Sequence, residues 1–572
     1  MTFRERIGNE LKRHFKLPAD FKLEITAPEH GIQGHYSTNL LLKLSKERGA
    51  KPVDLGKDFI DSLPGDVLFV AEIAGPGFLN FRIKDAAIKE FLKEEVLDNP
   101  DWGRTDMGAG RVVRLEYFQP NVAKTLHVGH LRSAIIGDAL KRMFIAAGYW
   151  VYSDNHLGDW GTQFGILLYG FKQLSVEEKS KIENGGLEAL TELYVSENAK
   201  IEAEPTRRDL AKEEFAKLER GDEKNKKIWE WMVRVSVARF QQISEQLEIL
   251  PFEEQLSESF FEPQLKGIVD FALEEGVAKK QSDGSVMVDL TDQNLDQAVL
   301  LKSDGASTYL LRDLATIIFF KKGRGFEKNL YVVDDRQTHH FRQVFEVAKK
   351  LDYTKPEENE HIKFGFMSLP EGALSTRRGA TAKAEDLIKE ITDSAKKVIE
   401  EKNPELLNKE EVAGQVALAA LKFFDLRHHR ESNIIFRKEE ALSFEGATGP
   451  YLQYAYARLK SVLRKANGEE QITNSDEKSL EVEMTEVERQ LAILTIRLPE
   501  ELERGVAERA PSVIASYLLN LAQAVNEFYH ASPILKEENS KKRAMRLALS
   551  AAAALSLKEG LELLGIKPRE EM

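Results

Sequence analysis

Along the chain, the spacing of apolar and polar residues changes character several times. From Arg4 to Lys16 the apolar positions keep helical spacing among basic residues. The segments VLFVAEIAG and FLNFRI then read as strands joined at Gly75-Pro76-Gly77. Together these predict a small α+β unit over residues 1–98. The stretch from Asp98 to Gly110 is dense in Gly, Asp and Pro, the composition of a connector. Next, RVVRLEYF reads as a buried strand. LRSAIIGDALKRMFIAAG reads as a helix carrying Leu131, Ile135, Ile136, Leu140, Met143, Phe144 and Ala147 on one period and ending at Gly148. WVYSDN is a second strand, so the order is strand, turn, helix, strand, the βαβ unit of a parallel nucleotide-binding sheet.

VMVDL and LYVVDD read as further strands alternating with helices, which predicts a doubly wound α/β domain over residues 108–382. A highly charged helical block at about 172–250 interrupts that alternation and reads as an insertion on the rim of the sheet. Residues 383–572 read almost wholly as helix, with the Ala-rich run ALSAAAALSLKEGLELL suited to close helix packing. The fold class expected is therefore α/β multidomain, with a Rossmann-type centre, a small α+β unit before it and an all-α region after it.

Composition narrows the picture. Of 572 residues, 42% are hydrophobic and 31% charged, which suits a folded, water-soluble protein. There is no cysteine, so disulfides, thiolate metal sites and Cys nucleophiles are excluded. The charged N-terminus lacks a signal-peptide core and no run reaches membrane-spanning length, so a cytoplasmic location is expected. A net charge of −13 lowers the expectation of a nucleic-acid partner without closing it, because phosphate affinity depends on local basic patches.

Candidate chemistry gathers in PNVAKTLHVGHLRSAIIGD, Pro120 to Asp138. A helix start at the carboxyl edge of a parallel sheet offers unpaired N–H groups and the positive end of the helix dipole, both attractive to phosphate. His127 and His130 flank Gly129 there, and Lys124 adds a full charge, so three potential cations converge on one place. The glycine admits close approach of a nucleotide to the backbone. Taken alone, the two histidines fit equally the role of helix caps or surface residues; a metal site is disfavoured because HxxH brings no third ligand at evident spacing.

The wider text decides between these readings. PNVAKTLHVGHLRSAIIGDAL followed by DNHLGDWGTQFG resembles the signature of the class I aminoacyl-tRNA synthetases, and specifically of the arginyl-tRNA synthetase family, with HVGH in place of that class's HIGH motif. GPGFLNFR, DGASTYLLRDLA, YVVDDRQTHHFRQVF, LSFEGATGPYLQYAYARL and LKEGLELLGIKPREEM resemble further blocks of the family, in its order and across nearly the whole chain.

The resemblance implies an arginine–tRNA ligase that uses ATP and substrate-associated Mg2+, with L-arginine and tRNA(Arg) as partners, no structural metal and a monomeric state. It implies that Lys124, His127, Gly129 and His130 hold ATP. It assigns ALSTRRG to the mobile KMSKS loop, where Ser375 and Thr376 meet ATP and Arg377 and Arg378 assist catalysis. This loop departs from the pattern, since Ala373 and Thr376 stand at the two lysine positions and Lys124 is implied to supply the missing charge. Glu116, Tyr309 and Asp313 are implied to face the substrate guanidinium, and Asn121 and Gln337 its other polar groups.

The helical region from 383 to 572 resembles the family's anticodon-binding domain, with Tyr451, Arg458, Lys460, Arg464, Tyr529 and Met572 implied to touch tRNA. Tyr451, Tyr454 and Tyr456 fit core positions as well as stacking platforms, and Lys541, Lys542, Arg543 and Arg546 read most simply as a solvated basic face. The N-terminal unit is implied to contact the tRNA elbow; His35, Tyr36 and Asn39 match a family block without an evident role, and SES (Ser257 to Ser259) departs from the family's usual GES without an evident reason. Two other readings stay open: a small-molecule nucleotidyltransferase of the HIGH superfamily and a catalytically silent RNA-binding paralogue.

Overall fold

The structure, a computed structural model, describes residues 1–27, 34–370, 383–466 and 482–571. Ser375, Thr376, Arg377, Arg378 and Met572 therefore lie outside the described residues.

The chain begins with α1 (Phe3–Phe15), whose first turn is closed by Thr2 and Glu5 capping each other's backbone. There follow β1 (Tyr36–Thr38), α2 (Leu40–Arg48), α3 (Pro52–Asp61), β2 (Phe69–Ala74), β3 (Phe78–Ile83) and α4 (Asp85–Phe91). The three strands form an antiparallel sheet in the order β1-β3-β2. The connector that follows is pinned down rather than loose: Trp102 is buried and donates through its indole N–H to Ser556 Oγ at 2.9 Å.

β4 (Val112–Glu116), α5 (Val128–Ala146) and β5 (Trp150–Asp154) form the βαβ unit. Helices α6 (Thr162–Gln173), α7 (Val176–Ala203), α8 (Thr206–Glu219) and α9 (Glu223–Gln246) build the charged block, and α10 (Glu258–Glu274) returns to the domain. A separate antiparallel sheet comes next, β6 (Ala278–Lys280), β7 (Val286–Val288) and β8 (Ala298–Leu301). Here the expectation fails: VMVDL belongs to this side sheet, not to the parallel one. Its neighbours explain why, since it is hairpinned to β6 and β8 across short loops and has no crossover helix before it. Then come α11 (Tyr309–Arg324), β9 (Lys328–Asp334), α12 (Thr338–Lys350), β10 (Asn359–Phe364) and β11 (Met367–Ser368).

The parallel sheet has the order β10-β9-β4-β5. In β9, Leu330 and Val332 face the core that contains α5, while Tyr331 and Val333 face the core built on α11 and α12. Cover on both faces is why NLYVVD is apolar without alternation. From β4 the chain leaves toward β5 on one side, and β9 occupies the other, so strand order reverses between β4 and β9. At such a switch point the carboxyl ends of two adjacent strands part and leave a crevice.

Helices α13 (Ala384–Lys402) and α14 (Lys409–Leu426) lead through β12 (Ile434–Ile435), paired with β11, and α15 (Lys438–Ala441) to α16 (Gly449–Lys465), α17 (Glu486–Thr495), α18 (Leu498–Glu508), α19 (Pro511–Ala531) and α20 (Ser540–Leu563). The Ala-rich run lies in α20, whose small side chains admit close packing on α16, α17 and α19. The basic face expected at 541–546 is not wholly solvated: Arg546 is buried and paired at 2.7 Å with both Glu488 and Glu537, a pairing that burial of a guanidinium demands.

The N-terminal unit docks on α17 and α18 through polar contacts. Tyr36 donates to Glu500 at 3.0 Å, Arg4 pairs with Glu500 at 3.1 Å, and Arg489 pairs with Asp85 at 2.8 Å. Tyr36 thus gains a role, joining two units. The back of α5 is tied to the chain after α20: Lys422 donates to the Gly565 carbonyl at 2.6 Å, and a Cβ on Gly565 would lie 2.7 Å from an Asp138 carboxylate oxygen.

Helix α5 also presses on the sheet through Gly137, where an added Cβ would meet Tyr117 Cγ at 2.2 Å. Tyr117 is fully buried and has no room to retreat. Gly137→Ala is expected to cost about 1–3 kcal/mol in stability, the usual range for overpacking. Urea denaturation checks this, with an unchanged midpoint as the contrary result.

Candidate active site

The loop after β4 is held in unusual backbone geometry. Phe118, Gln119 and Ala123 have φ of 78°, 37° and 61°, a region that non-glycine residues enter at a cost. Side-chain hydroxyls fix it, with Ser133 Oγ accepting from Phe118 N–H and Ser236 Oγ from Ala123 N–H, both at 3.0 Å. The result presents Gln119 and Asn121 to a cleft of about 230 Å³ at the switch point. His127, Gly129, His130, Arg132, Arg336 and Gln337 also line that cleft.

The two histidines turn out to be caps and cleft residues at once. His127 is the N-cap of α5 and its Nδ1 accepts from Gly129 N–H at 3.1 Å; His130 Nδ1 accepts from His127 N–H, also at 3.1 Å. An Nδ1 that accepts leaves the ring proton on Nε2. Burial, helped by Arg336, lowers the pKa of His127, and burial with His127 beside it lowers that of His130 to about 3. Both are neutral donors near pH 7, so the expected trio of cations is corrected to one lysine and two neutral imidazoles. Two backbone N–H groups at the helix start are spent on the rings, and two imidazole N–H groups replace them.

Gly129 also has a different reason from the expected one. A Cβ there would stand 2.9 Å from His127 Cε1 and 3.0 Å from its Nδ1, so the position must be bare for His127 to cap.

Lys124 lies off this cleft, its ammonium 5.3 Å from the centre of the Tyr194 ring on α7. The full positive charges lining the cleft are arginines that sequence reasoning passed over. Arg132 is completely buried, pairs with Asp425 at 3.0 Å and donates to the Gly365 and Ser432 carbonyls. Arg336 pairs with Asp334 at 2.7 Å and lies over the Phe366 ring at 4.5 Å. An arginine beside a histidine motif gives no signal of its own in sequence, since most helical arginines are solvated.

A second chamber adjoins the first. In β4, Val113 and Leu115 point to the α5 core, which sends Arg114 and Glu116 together to the opposite, equally buried face. They pair with each other; Arg114 also reaches Asp154 at 3.2 Å and Asn329 at 2.9 Å, and its guanidinium lies 4.3 Å from the centre of the Phe320 ring. Gln119 donates to the other Glu116 oxygen at 2.5 Å, joining chamber and cleft.

Asp313 is not unpaired: His340 Nε2 lies 2.5 Å from its Oδ2. Tyr309 is 64% exposed with Arg312 5.6 Å from its ring centre, and so stands at the rim. Glu258 sits at the start of α10, pushed up to about 7 by burial although Arg312 is 3.6 Å away. His156 is raised: burial opposes its charge, but Glu116, Asp154, Asp313 and Glu258 together outweigh that. Glu258 Oε2 and His156 Nδ1 are buried without a hydrogen-bond partner.

Glu116, Asp154 and His156 have the spacing of a metal-ligand group. The Arg114 guanidinium already lies among those carboxylates, so the set suits a further planar, dispersed cation better than a metal.

In the SES segment, Ser259 donates to Asp159 from its Oγ at 2.6 Å and from its N–H at 2.8 Å, and Ser257 Oγ lies 3.1 Å from Ser259 Oγ.

In the helical region, a cleft of about 670 Å³ is lined by Phe444, Tyr451, Tyr454, Arg458, Asn526 and His530 among others. Arg458 lies 4.7 Å from the Tyr454 ring centre and 4.9 Å from that of Tyr529, and bonds Asn526 at 2.5 Å. Tyr456 is core, as its spacing allowed. Lys460 and Arg464 are turned to the tail, pairing with Glu570 at 3.4 Å and 3.6 Å.

Comparison with known proteins agrees with this geometry. Residues 94–438 match the family described as tRNA synthetases class I (R), catalytic domain. The chain belongs to the class I arginyl-tRNA synthetase family. Residues 1–83 match the arginyl-tRNA synthetase N-terminal domain and 452–572 the DALR anticodon-binding domain. An arginine–tRNA ligase of Streptococcus suis is 38% identical, with 92% of each chain covered, and one of Clostridioides difficile is 34% identical over 100% of each. Among solved structures, the arginyl-tRNA synthetase of Thermus thermophilus superposes with a TM-score of 0.82 at 26% identity over 100% of both chains. In this chain the HVGH turn sits at the carboxyl edge of the parallel sheet.

Two expectations follow for this arginyl-tRNA synthetase family member. Gly129→Ala pushes the His127 ring aside and removes a cap; about 10²-fold loss in kcat/KM is expected, the scale of a 1 Å misplacement, with little loss of fold. Steady-state charging assays check it, and near-normal turnover is the contrary result. The second concerns pH. With its pKa lowered to about 3, His130 binds no proton in the folded state at pH values where the unfolded chain, with an ordinary pKa of about 6.5, already does. Its contribution to stability is therefore whole above about 6.5 and falls by about 1.4 kcal/mol per pH unit below it. Denaturation of wild type and His130→Asn across pH 7 to 5 should show the wild type losing more stability.

Proposed function

We propose that the protein ligates L-arginine to the 3′-terminal adenosine of tRNA(Arg) through an arginyl-adenylate, consuming ATP and releasing AMP and pyrophosphate. The observation that carries this reading is the pairing of a neutral-donor cleft with a carboxylate chamber, joined by Gln119. In the first step the arginine carboxylate attacks the α-phosphorus of ATP and pyrophosphate leaves in line. Such a displacement needs placement and stabilisation of developing negative charge, not a protein nucleophile.

His127 and His130 donate through Nε2 to phosphate oxygens, beside Gly129, and Lys124 swings in from Tyr194 to meet the triphosphate. Ser375, Thr376, Arg377 and Arg378, outside the described residues, complete the ATP site by their place in the family's order of blocks. Mg2+ accompanies the triphosphate as part of that substrate.

The guanidinium enters the chamber, where Glu116 and Asp313 supply charge and Tyr309 covers the mouth; Asn121 and Gln337, both on the cleft wall, hold the substrate's amino and carboxylate ends. In the second step the 2′-OH of the terminal adenosine attacks the adenylate carbonyl and AMP leaves. The cleft around Tyr451 and Arg458 takes unpaired anticodon-loop bases, since aromatic rings flanking a guanidinium stack bases of any identity. Tyr529, Lys460 and Arg464 border it, with Met572 beyond the described residues. The protein acts as a monomer in the cytoplasm.

Aminoacylation of a tRNA pool with each amino acid in turn tests the assignment, with charging by arginine alone expected. Asp313→Ala should lose about 10²–10⁴ in kcat/KM for arginine while ATP binding stays near normal, and citrulline should be rejected by about 10⁴, the penalty for leaving buried polar groups unpaired. A variant that charges arginine at the wild-type rate would remove Asp313 from the site.

A further inference from the structure

The chamber holds more than the carboxylates that the proposed reading assigns to the guanidinium. Asp313 of α11 is already taken by an imidazole from another element, His340 of α12, at 2.5 Å, with both side chains partly buried. The ring is held by its edge-on contact with Phe341, the centroids 5.3 Å apart. Around Asp313 stand Glu116 of β4, Glu258 of α10, His156 after β5 and Tyr331 of β9, all sensed electrostatically across the chamber. The neighbouring His339 faces elsewhere, to Asp296 at 3.5 Å.

A carboxylate that must receive a cation in a half-buried site is costly to leave alone, and the least costly companion is a group that can surrender its charge when the true partner arrives. A lysine or arginine there would compete with the substrate at every pH. A histidine competes only while protonated.

We propose that His340 is a placeholder for the substrate guanidinium: its imidazolium occupies Asp313 in the free protein, and arginine binding displaces it and releases its proton to solvent. This rests on the reading that Asp313 receives the guanidinium. The charge balance is simple, since one cation enters the chamber with the guanidinium and one leaves as the proton from His340. Burial alone would lower the pKa of His340, but the hydrogen bond and charge of Asp313 raise it above its ordinary value. When the guanidinium takes Asp313, the raising cause is withdrawn and the lowering cause remains. His340 is thus a positioning residue: it holds Asp313 aimed and makes arginine affinity depend on pH. In the window where the free protein is protonated and the complex is not, KM for arginine rises about tenfold per unit fall in pH.

Calorimetric titration of L-arginine into the full-length wild-type protein at pH 7, in buffers of different ionisation enthalpy, counts the protons directly. A net release of protons, at most one per arginine, is expected. The release should vanish in His340→Gln, persist in His339→Gln, and be accompanied in His340→Gln by a flatter dependence of KM on pH with kcat little changed. A wild-type titration with the same heat in every buffer overturns the proposal without any variant. Release that persists in His340→Gln overturns it too, and assigns the proton to another group of the chamber, Glu258 or His156. Asp313→Asn separates the two layers: if arginine affinity falls in that variant while the wild type releases no proton, only the placeholder is lost. If affinity is unchanged, the guanidinium reading fails and the placeholder with it.

Discussion

Everything at the substrate end of this fold depends on the guanidinium of Arg114 buried between two strands. A chamber walled by Glu116, Asp154, Glu258 and Asp313 could not persist in a protein interior on repulsion alone. Arg114 neutralises part of that charge from within the wall, and Phe320 and Tyr331 stack against it where water would otherwise enter. Because Arg114 is on β4 and Asn329 on β9, the same contact also ties the two strands together.

The cleft beside it uses a different economy of charge. Its imidazoles are neutral donors fixed by backbone N–H groups, and its full charges, Arg132 and Arg336, are each tied to a carboxylate. Donors of that kind keep their orientation when a polyanion arrives and need no reorganisation to meet charge that develops during displacement.

Much of this was legible in the sequence, and for definite reasons. The βαβ unit declared itself through period: Val113 and Leu115 alternate, and the apolar stripe of α5 keeps its spacing over five turns. The residues of the HVGH turn were found because the text around them resembles a family signature; alone, the two histidines fitted helix caps as well. Less was legible where a residue's meaning depends on what the fold places opposite it. VMVDL has the composition of any short strand, and only its hairpin partners show that it leaves the main sheet. Gly129 reads as a gap for a ligand until the His127 ring is seen filling it. Arg114, Arg132 and His340 are polar letters in otherwise apolar or charged text, and the carboxylates they meet, Asp154, Asp425 and Asp313, lie 40, 293 and 27 residues away in sequence. Arg546 was misread for the same reason, since Glu488 is remote in sequence and adjacent in space.

The tie between Gly565, Lys422 and Asp138 bears on how the chain is made. On a ribosome, α5 emerges early, but the carbonyl that finishes its rear surface emerges roughly four hundred residues later, which at about 5–20 residues per second is a delay of about 20–80 s. For that interval the helix bearing the two histidines has a half-built back, with Lys422, once it has emerged, short of its acceptor. The nascent protein thus acquires the cleft beside α5 early in outline and late in rigidity, and any premature stop upstream of Gly565 leaves a polypeptide in which that helix was never fully seated.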